Sequence, residues 1–299
     1  MLNWTKNEID ALSGRFISSE ILDFILNNTI DRHTFKTDLI QWNTYIFNNS
    51  NIDKIIHIEN MMIKRALDFQ KRSNNTSIPM IIYWFPTDYK KELPRDKKSL
   101  DVNEINSAAT FHGQLNKFIA LYRLEEAPKV LYHELIHYFE LDSIIPYGED
   151  SEYTIQFNLK SPCLLRETYC ELMALLLNVE DISIRENKNF MELYSIEYAF
   201  SILQKDKILN FFNIKNASDF HKLKSDTNVF TYFICKTAIL LSIDNPIDFL
   251  KKMEEKHFKL HSIQFLKSFI NNGFDLLFKE KVDLNLPILN NTLRMTIIE

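Results

Sequence analysis

Four glycines, Gly14, Gly113, Gly148 and Gly273, serve a chain of 299 residues, and that scarcity constrains the fold more than any other feature. No two of them can build the GxGxxG or GxxxxGK loop that cradles a phosphate, so dinucleotide-binding folds and P-loop nucleotidases are excluded. Eight prolines and runs such as Ile21-Leu22-Asp23-Phe24-Ile25-Leu26 favour helix over a turn-rich sandwich or barrel. With 45% hydrophobic and 25% charged residues, the chain can bury a large core. The expectation is an α+β protein, predominantly helical, with a small sheet.

A formal charge of −5 and a pI near 5.9 leave no basic footprint for nucleic acid. The short run Lys90, Lys91, Arg95, Lys97 and Lys98 reads as a solvated loop. Neither a membrane-length apolar span nor an apolar N-terminal segment is present, so no membrane partner and a cytoplasmic location are expected. Cys163, Cys170 and Cys235 are odd in number and lack CxxC spacing, which implies neither a disulfide framework nor a structural zinc ribbon.

Apolar residues recur at helical spacing from Glu8 to about Lys71, in Ile21, Phe24 and Ile25 and again in Ile55, Ile56, Met62, Ile63 and Ala66. Residues 1–77 therefore read as a helical N-terminal region. From Ile78 to Phe85 the content is β-branched and aromatic, a buried strand closed by Pro86, and Ser107–Phe111 and Phe118–Arg123 read as two further strands. A helix should begin near Glu126 or Ala127, with Pro128 in its first turn and the acidic Glu125 and Glu126 at its positive end, and run to about Leu141. Residues 78–162 thus form a small sheet and this helix. Residues 163–299 read as a helical lobe, with helices near 164–178, 188–211, 228–242, 246–256 and 260–271.

That central helix carries HExxH as His133, Glu134 and His137. At about 100° per residue, His137 lies about 40° around the helix from His133, so both imidazoles project from one face and can share a metal. Glu134 stands about 60° further round, placed to address a water without being a ligand. Leu131, Leu135, Tyr138 and Phe139 give the helix an apolar back. About 0.01 such motifs are expected by chance in a chain of this composition.

Two His do not complete a catalytic zinc site, which takes three protein ligands and leaves a position for water. Glu140 and Ser143 stand where the HExxHxxGxxH pattern needs Gly and His, which excludes that arrangement. Downstream, Glu167 and Glu171 share a helix face with Ala174, whose small side chain allows a close approach to the HExxH helix. One carboxylate can bind zinc while the other accepts a hydrogen bond from the far nitrogen of a ligating His. Glu167 is assigned to zinc and Glu171 to the imidazole, the exchanged roles being the alternative.

His133-Glu134-x-x-His137 followed by Glu167-x-x-x-Glu171 resembles the gluzincin clan of zinc metallopeptidases, with a longer spacer, Tyr147 to Pro162, that would be an inserted loop. A narrower similarity is to the uncharacterised zinc metalloproteinases encoded by large DNA viruses. It runs through Ile105-Asn106-Ser107-Ala108, Leu121-Tyr122-Arg123, the HELIH helix ending in Leu141-Asp142, Glu167-Thr168-Tyr169-Cys170-Glu171 and Thr227-Asn228-Val229-Phe230-Thr231-Tyr232. The resemblance implies a zincin-like core, leaves virion association open, and makes Tyr232 and Tyr169 candidates for an oxyanion donor. It does not imply a substrate.

The expected activity is zinc-dependent hydrolysis of a peptide or protein substrate, Glu134 taking a proton from the attacking water and returning it to the leaving amine. Phe118–Arg123 is the candidate edge strand for pairing with an extended peptide, an interior strand being the alternative. Two other functions fit the sequence: a catalytically silent binding protein on the same fold, and a zinc hydrolase acting on another amide or isopeptide bond. His112, beside Gly113, is either at the cleft or merely exposed, and His221, His257 and His261 lie outside any ligand spacing. Oligomeric state is left open.

Overall fold

The structure is a computed structural model and describes residues 4–13, 15–48, 50–73, 79–96, 98–112, 117–146, 151–254, 262–282, 289 and 291–298. It is α+β, 58% helical with a five-stranded mixed sheet. The chain divides into two compact units, Met1–Lys91 with Asn106–Leu141, and Glu92–Ile105 with Asp142–Glu299. The N-terminal region lies in one unit with the sheet and the HExxH helix.

The first unit runs α1 (Lys6–Leu12), α2 (Ser19–Asn28), β1 (Thr29–Lys36), β2 (Ile40–Phe47), α3 (Ile52–Arg72) and β3 (Met80–Thr87). After α4 (Val102–Ile105), which belongs to the second unit, it continues with β4 (Ala108–His112), β5 (Lys117–Arg123) and α5 (Ala127–Tyr138). Helix starts are capped by side chains: Thr5 with Glu8 in a capping box, Ser18, and Asn51. The uniformly helical reading of 8–71 is corrected by the hairpin β1–β2. Ile40, Trp42, Thr44, Tyr45 and Ile46 are β-formers, and Thr37 closes the turn, its Oγ1 accepting the N–H groups of Leu39 and Ile40 at 3.2 Å each.

Sheet order is β1-β2-β3-β5-β4, with the central pairs β2–β3 and β3–β5 parallel and both outer pairs antiparallel. Phe118–Arg123 is thus an interior strand, the second of the two readings the sequence allows, and the edge strands are β1 and β4. Both faces of β5 are covered, by α1 and α2 on one side of the sheet and by α5 on the other, which is why Phe-Ile-Ala-Leu-Tyr shows no polar alternation. Nor does Pro86 close β3. The strand continues to Thr87 across an irregular register, where a missing N–H is tolerated, and Thr87 Oγ1 donates to the Tyr122 carbonyl at 2.6 Å.

One sheet face, through Tyr45, Phe47, Tyr83, Phe85, Phe118, Ala120 and Tyr122, packs on Ala11, Leu12, Ile21 and Ile25 of α1 and α2. Trp42, Thr44, Ile82, Trp84, Ile119 and Leu121 have the opposite parity and are buried too. Both α3 and α5 pack against the sheet and against each other.

The second unit contains α6 (Ser151–Gln156), α7 (Leu165–Glu186), α8 (Phe190–Phe211), a π-helical turn at Phe230–Cys235 leading into α9 (Lys236–Ser242), α10 (Pro246–Glu254) and α11 (Ser262–Leu277). The spacer 147–162 therefore holds a short helix, and the helix read at 228–242 is a π turn followed by an α-helix. Helices α9 and α11 approach closely at Gly273, where a Cβ would lie 1.9 Å from the Ala238 carbonyl oxygen. Backbone is the obstacle there, so repacking cannot relieve it. Gly273→Ala should lower stability by about 3 kcal/mol or more, and a melting temperature equal to wild type would show that the two helices are not so tightly joined.

Candidate metal centre

Helix α5 is fixed in the first unit by polar contacts at its start. Glu126, with φ 60°, occupies the left-handed region, unusual for a residue with a Cβ. Its carboxylate lies 2.8 Å from Lys91 Nζ, both residues being buried. Glu125 accepts the Lys91 N–H at 3.1 Å and has Lys90 Nζ at 3.8 Å. The reading of the basic run as solvated therefore holds for Lys90, Arg95 and Lys98 and fails for Lys91, which is the counter-ion of the helix entrance; Lys97 lies outside the described residues. From α3, Arg65 Nη1 donates to the Pro128 carbonyl at 2.9 Å, and its guanidinium covers the Tyr132 ring at 5.1 Å.

This anchoring leaves His133 and Glu134 buried and His137 half-buried. The two Nε2 atoms face each other at 3.2 Å. Two imidazole nitrogens bound tetrahedrally to one zinc at 2.0–2.1 Å stand about 3.3 Å apart. The pair already has the separation that a shared zinc requires, so the donor set of this helix fits the metal.

Glu134 is engaged by the sheet. Its Oε2 lies 2.8 Å from Thr110 Oγ1 on the edge strand β4, and its carbonyl lies 3.0 Å from the same hydroxyl. A hydroxyl proton given to the carboxylate fixes that group as an acceptor. Thr110 carried no signal in the sequence, since its role depends on a strand 24 residues upstream. Nearby, Tyr122 is pushed well above the usual phenol range by burial and by the Glu134 charge, and its hydroxyl donates to the Ala11 carbonyl at 3.1 Å.

In the second unit, α7 presents Glu167 in its first turn and the buried Glu171 one turn on. Tyr232 Oη donates to Glu167 Oε2 at 2.7 Å, and Lys236 Nζ lies 3.3 Å from Glu171 Oε1. Two pairs at i, i+4 thus face each other as rungs between α7 and the segment Tyr232–Lys236. The π turn shapes that segment: the Lys236 N–H reaches the Thr231 carbonyl, five residues back, and Thr168 Oγ1 approaches the same oxygen at 3.5 Å. Turns of this kind concentrate at functional sites. The Tyr232 hydroxyl, read as an oxyanion donor, is here the partner of a carboxylate. Lys236 was missed, although its spacing from Tyr232 repeats that of Glu167 and Glu171.

Tyr169 is buried on α7. His112 is exposed at the end of β4, 3.9 Å from Glu140, and His221 is exposed with Nδ1 2.7 Å from the Ser218 carbonyl. His257 and His261 lie outside the described residues. Among the described residues no helix is long and apolar enough to cross a membrane. No family model matches the chain, and comparison with curated proteins and with solved structures finds no match.

Proposed function

We propose that this protein is a zinc-dependent peptidase of gluzincin type, with His133, His137 and Glu167 as the ligands. The reading rests on one observation: the Nε2 atoms of His133 and His137 lie 3.2 Å apart on one helix, while Glu134 of the same helix accepts the Thr110 hydroxyl. A structural His pair has no need of an adjacent carboxylate so directed. The Tyr232 bond to Glu167 supports the assignment of that carboxylate, because ligating groups are oriented by neighbouring donors. The resemblance to viral metalloproteinases belongs to the same proposal.

Zinc held by this set would supply Lewis acidity, lowering the pKa of water towards ~7 and polarising the scissile carbonyl. The chain's own residues supply the rest. Glu134 accepts a proton from the water as its oxygen bonds to the carbonyl carbon, then delivers that proton to the amide nitrogen as the C–N bond breaks. Thr110 keeps the carboxylate oriented through both transfers. An extended substrate pairs with the edge strand β4, which carries Thr110, in place of the interior β5.

The direct test is elemental analysis of the chain purified without chelator. Wild type should carry one zinc per chain and the His133→Ala, His137→Ala variant none. A double variant that kept stoichiometric zinc would end the proposal.

A further inference from the structure

Lys236 is 2% exposed and Glu171 is 1% exposed, so their contact at 3.3 Å is a buried ion pair in the second unit. The same ammonium donates to the Met295 carbonyl, also at 3.3 Å. Met295 opens a short run whose next residues are tied down on α8. The buried Glu197 Oε1 accepts the Thr296 hydroxyl and the N–H groups of Ile297 and Ile298, the latter two at 2.9 Å each. Asn178 on α7 donates to the Ile298 carbonyl at 3.2 Å, and Gln204 on α8 donates to the Arg294 carbonyl at 2.5 Å. One lysine therefore links the carboxylate of α7 to the C-terminal run, and the fold spends several buried polar groups on keeping that run in place.

A buried ammonium and carboxylate are costly to desolvate, and stability alone is often better served by apolar residues of similar size. The pair calls for another role. Lys236 repeats the geometry of Tyr232 one turn earlier, and Tyr232 holds the carboxylate assigned to zinc. We infer that Lys236 is a positioning residue of the metal centre: it fixes the Glu171 carboxylate that orients a ligating imidazole, and the C-terminal run, through the Met295 carbonyl and its anchor Glu197, seats that lysine. The inference rests on the zinc reading and adds to it a residue and a chain segment.

Zinc affinity by chelator competition tests it, together with the visible absorption of the cobalt(II)-loaded chain, which reports ligand geometry without reference to activity. Lys236→Met should weaken zinc binding about 10–100-fold, in the range seen when a group supporting a ligand is lost, and should shift the cobalt bands; Lys236→Arg should restore both. In a Glu171→Gln background, Lys236→Met should cost no further affinity, because the lysine acts through that carboxylate. Each single change leaves one buried charge alone and the double variant leaves none, so melting temperatures of the zinc-free variants separate a loss of fold from a loss of zinc. Glu197→Gln should weaken zinc binding in wild type and not in Lys236→Met. Equal losses from Lys236→Met in both backgrounds would overturn the inference, as would unchanged affinity, and unchanged affinity in Glu197→Gln would remove the C-terminal run from it. A wild-type chain that binds no zinc would instead overturn the metal reading on which it stands.

Discussion

Glu134→Gln should give a folded chain that still binds zinc and cleaves peptide about 10²–10⁴-fold more slowly than wild type, the usual range for loss of a general base. The substitution preserves volume, and the amide oxygen can still accept the Thr110 hydroxyl that lies 2.8 Å from the carboxylate. What it removes is the ability to take a proton. Because one carboxylate serves first as base and then as acid, the loss falls on both halves of the reaction, towards the upper end of that range. Zinc content should be unchanged, since His133 and His137 are untouched. The measurement is a paired one: metal content and melting temperature establish the folded, loaded state, and cleavage of a proteome-derived peptide library gives the rate. A variant as fast as wild type would require another base. If neither protein cleaves and both retain the same partners, the silent binding-protein reading replaces the peptidase one.

What could be read from the sequence was local. The HExxH helix was placed near 126–141 and is Ala127–Tyr138, because Pro128, the apolar back and the 3.6-residue period all act within a few residues of one another. Strands Ala108–His112 and Lys117–Arg123 were legible for the same reason. The hairpin Thr29–Phe47 was lost because flanking helices with strong periodicity carried the reading across it, although Trp42-Asn43-Thr44-Tyr45-Ile46 is poor helix sequence. Sheet order depends on which strands meet across the chain; only the unbroken apolar run of β5 hinted that both its sides are covered. Lys91 looked solvated in a charged loop, and its partner Glu126 lies 35 residues on. In the candidate site, the His pair and the Glu pair were legible as spacings. Thr110, Lys236 and the bond from Tyr232 to Glu167 were not, the last joining residues 65 apart in the chain.

The two carboxylates of α7 should separate sharply when each is changed. Glu167→Ala should abolish stoichiometric zinc, since two imidazoles alone leave the metal one protein ligand short of the usual three. Glu171→Gln should keep zinc and bind it about 10–100-fold more weakly. Gln rather than Ala is the informative change at Glu171, because it keeps the volume and an oxygen that can accept from the Lys236 ammonium 3.3 Å away; either change leaves that ammonium buried without its counter-charge, a loss of about 3–5 kcal/mol in comparable buried pairs that the melting temperature of the zinc-free chain reports. Glu167 is half-buried and accepts the neutral Tyr232 hydroxyl at 2.7 Å, and the melting temperature of the zinc-free Glu167→Ala chain separates its effect on the fold from its effect on zinc. Chelator competition on the purified variants, with melting temperatures taken on the zinc-free chains, distinguishes the two. If Glu171→Gln loses zinc outright while Glu167→Ala retains it, the roles of the carboxylates are exchanged, and the ligand is then the one that Lys236 holds.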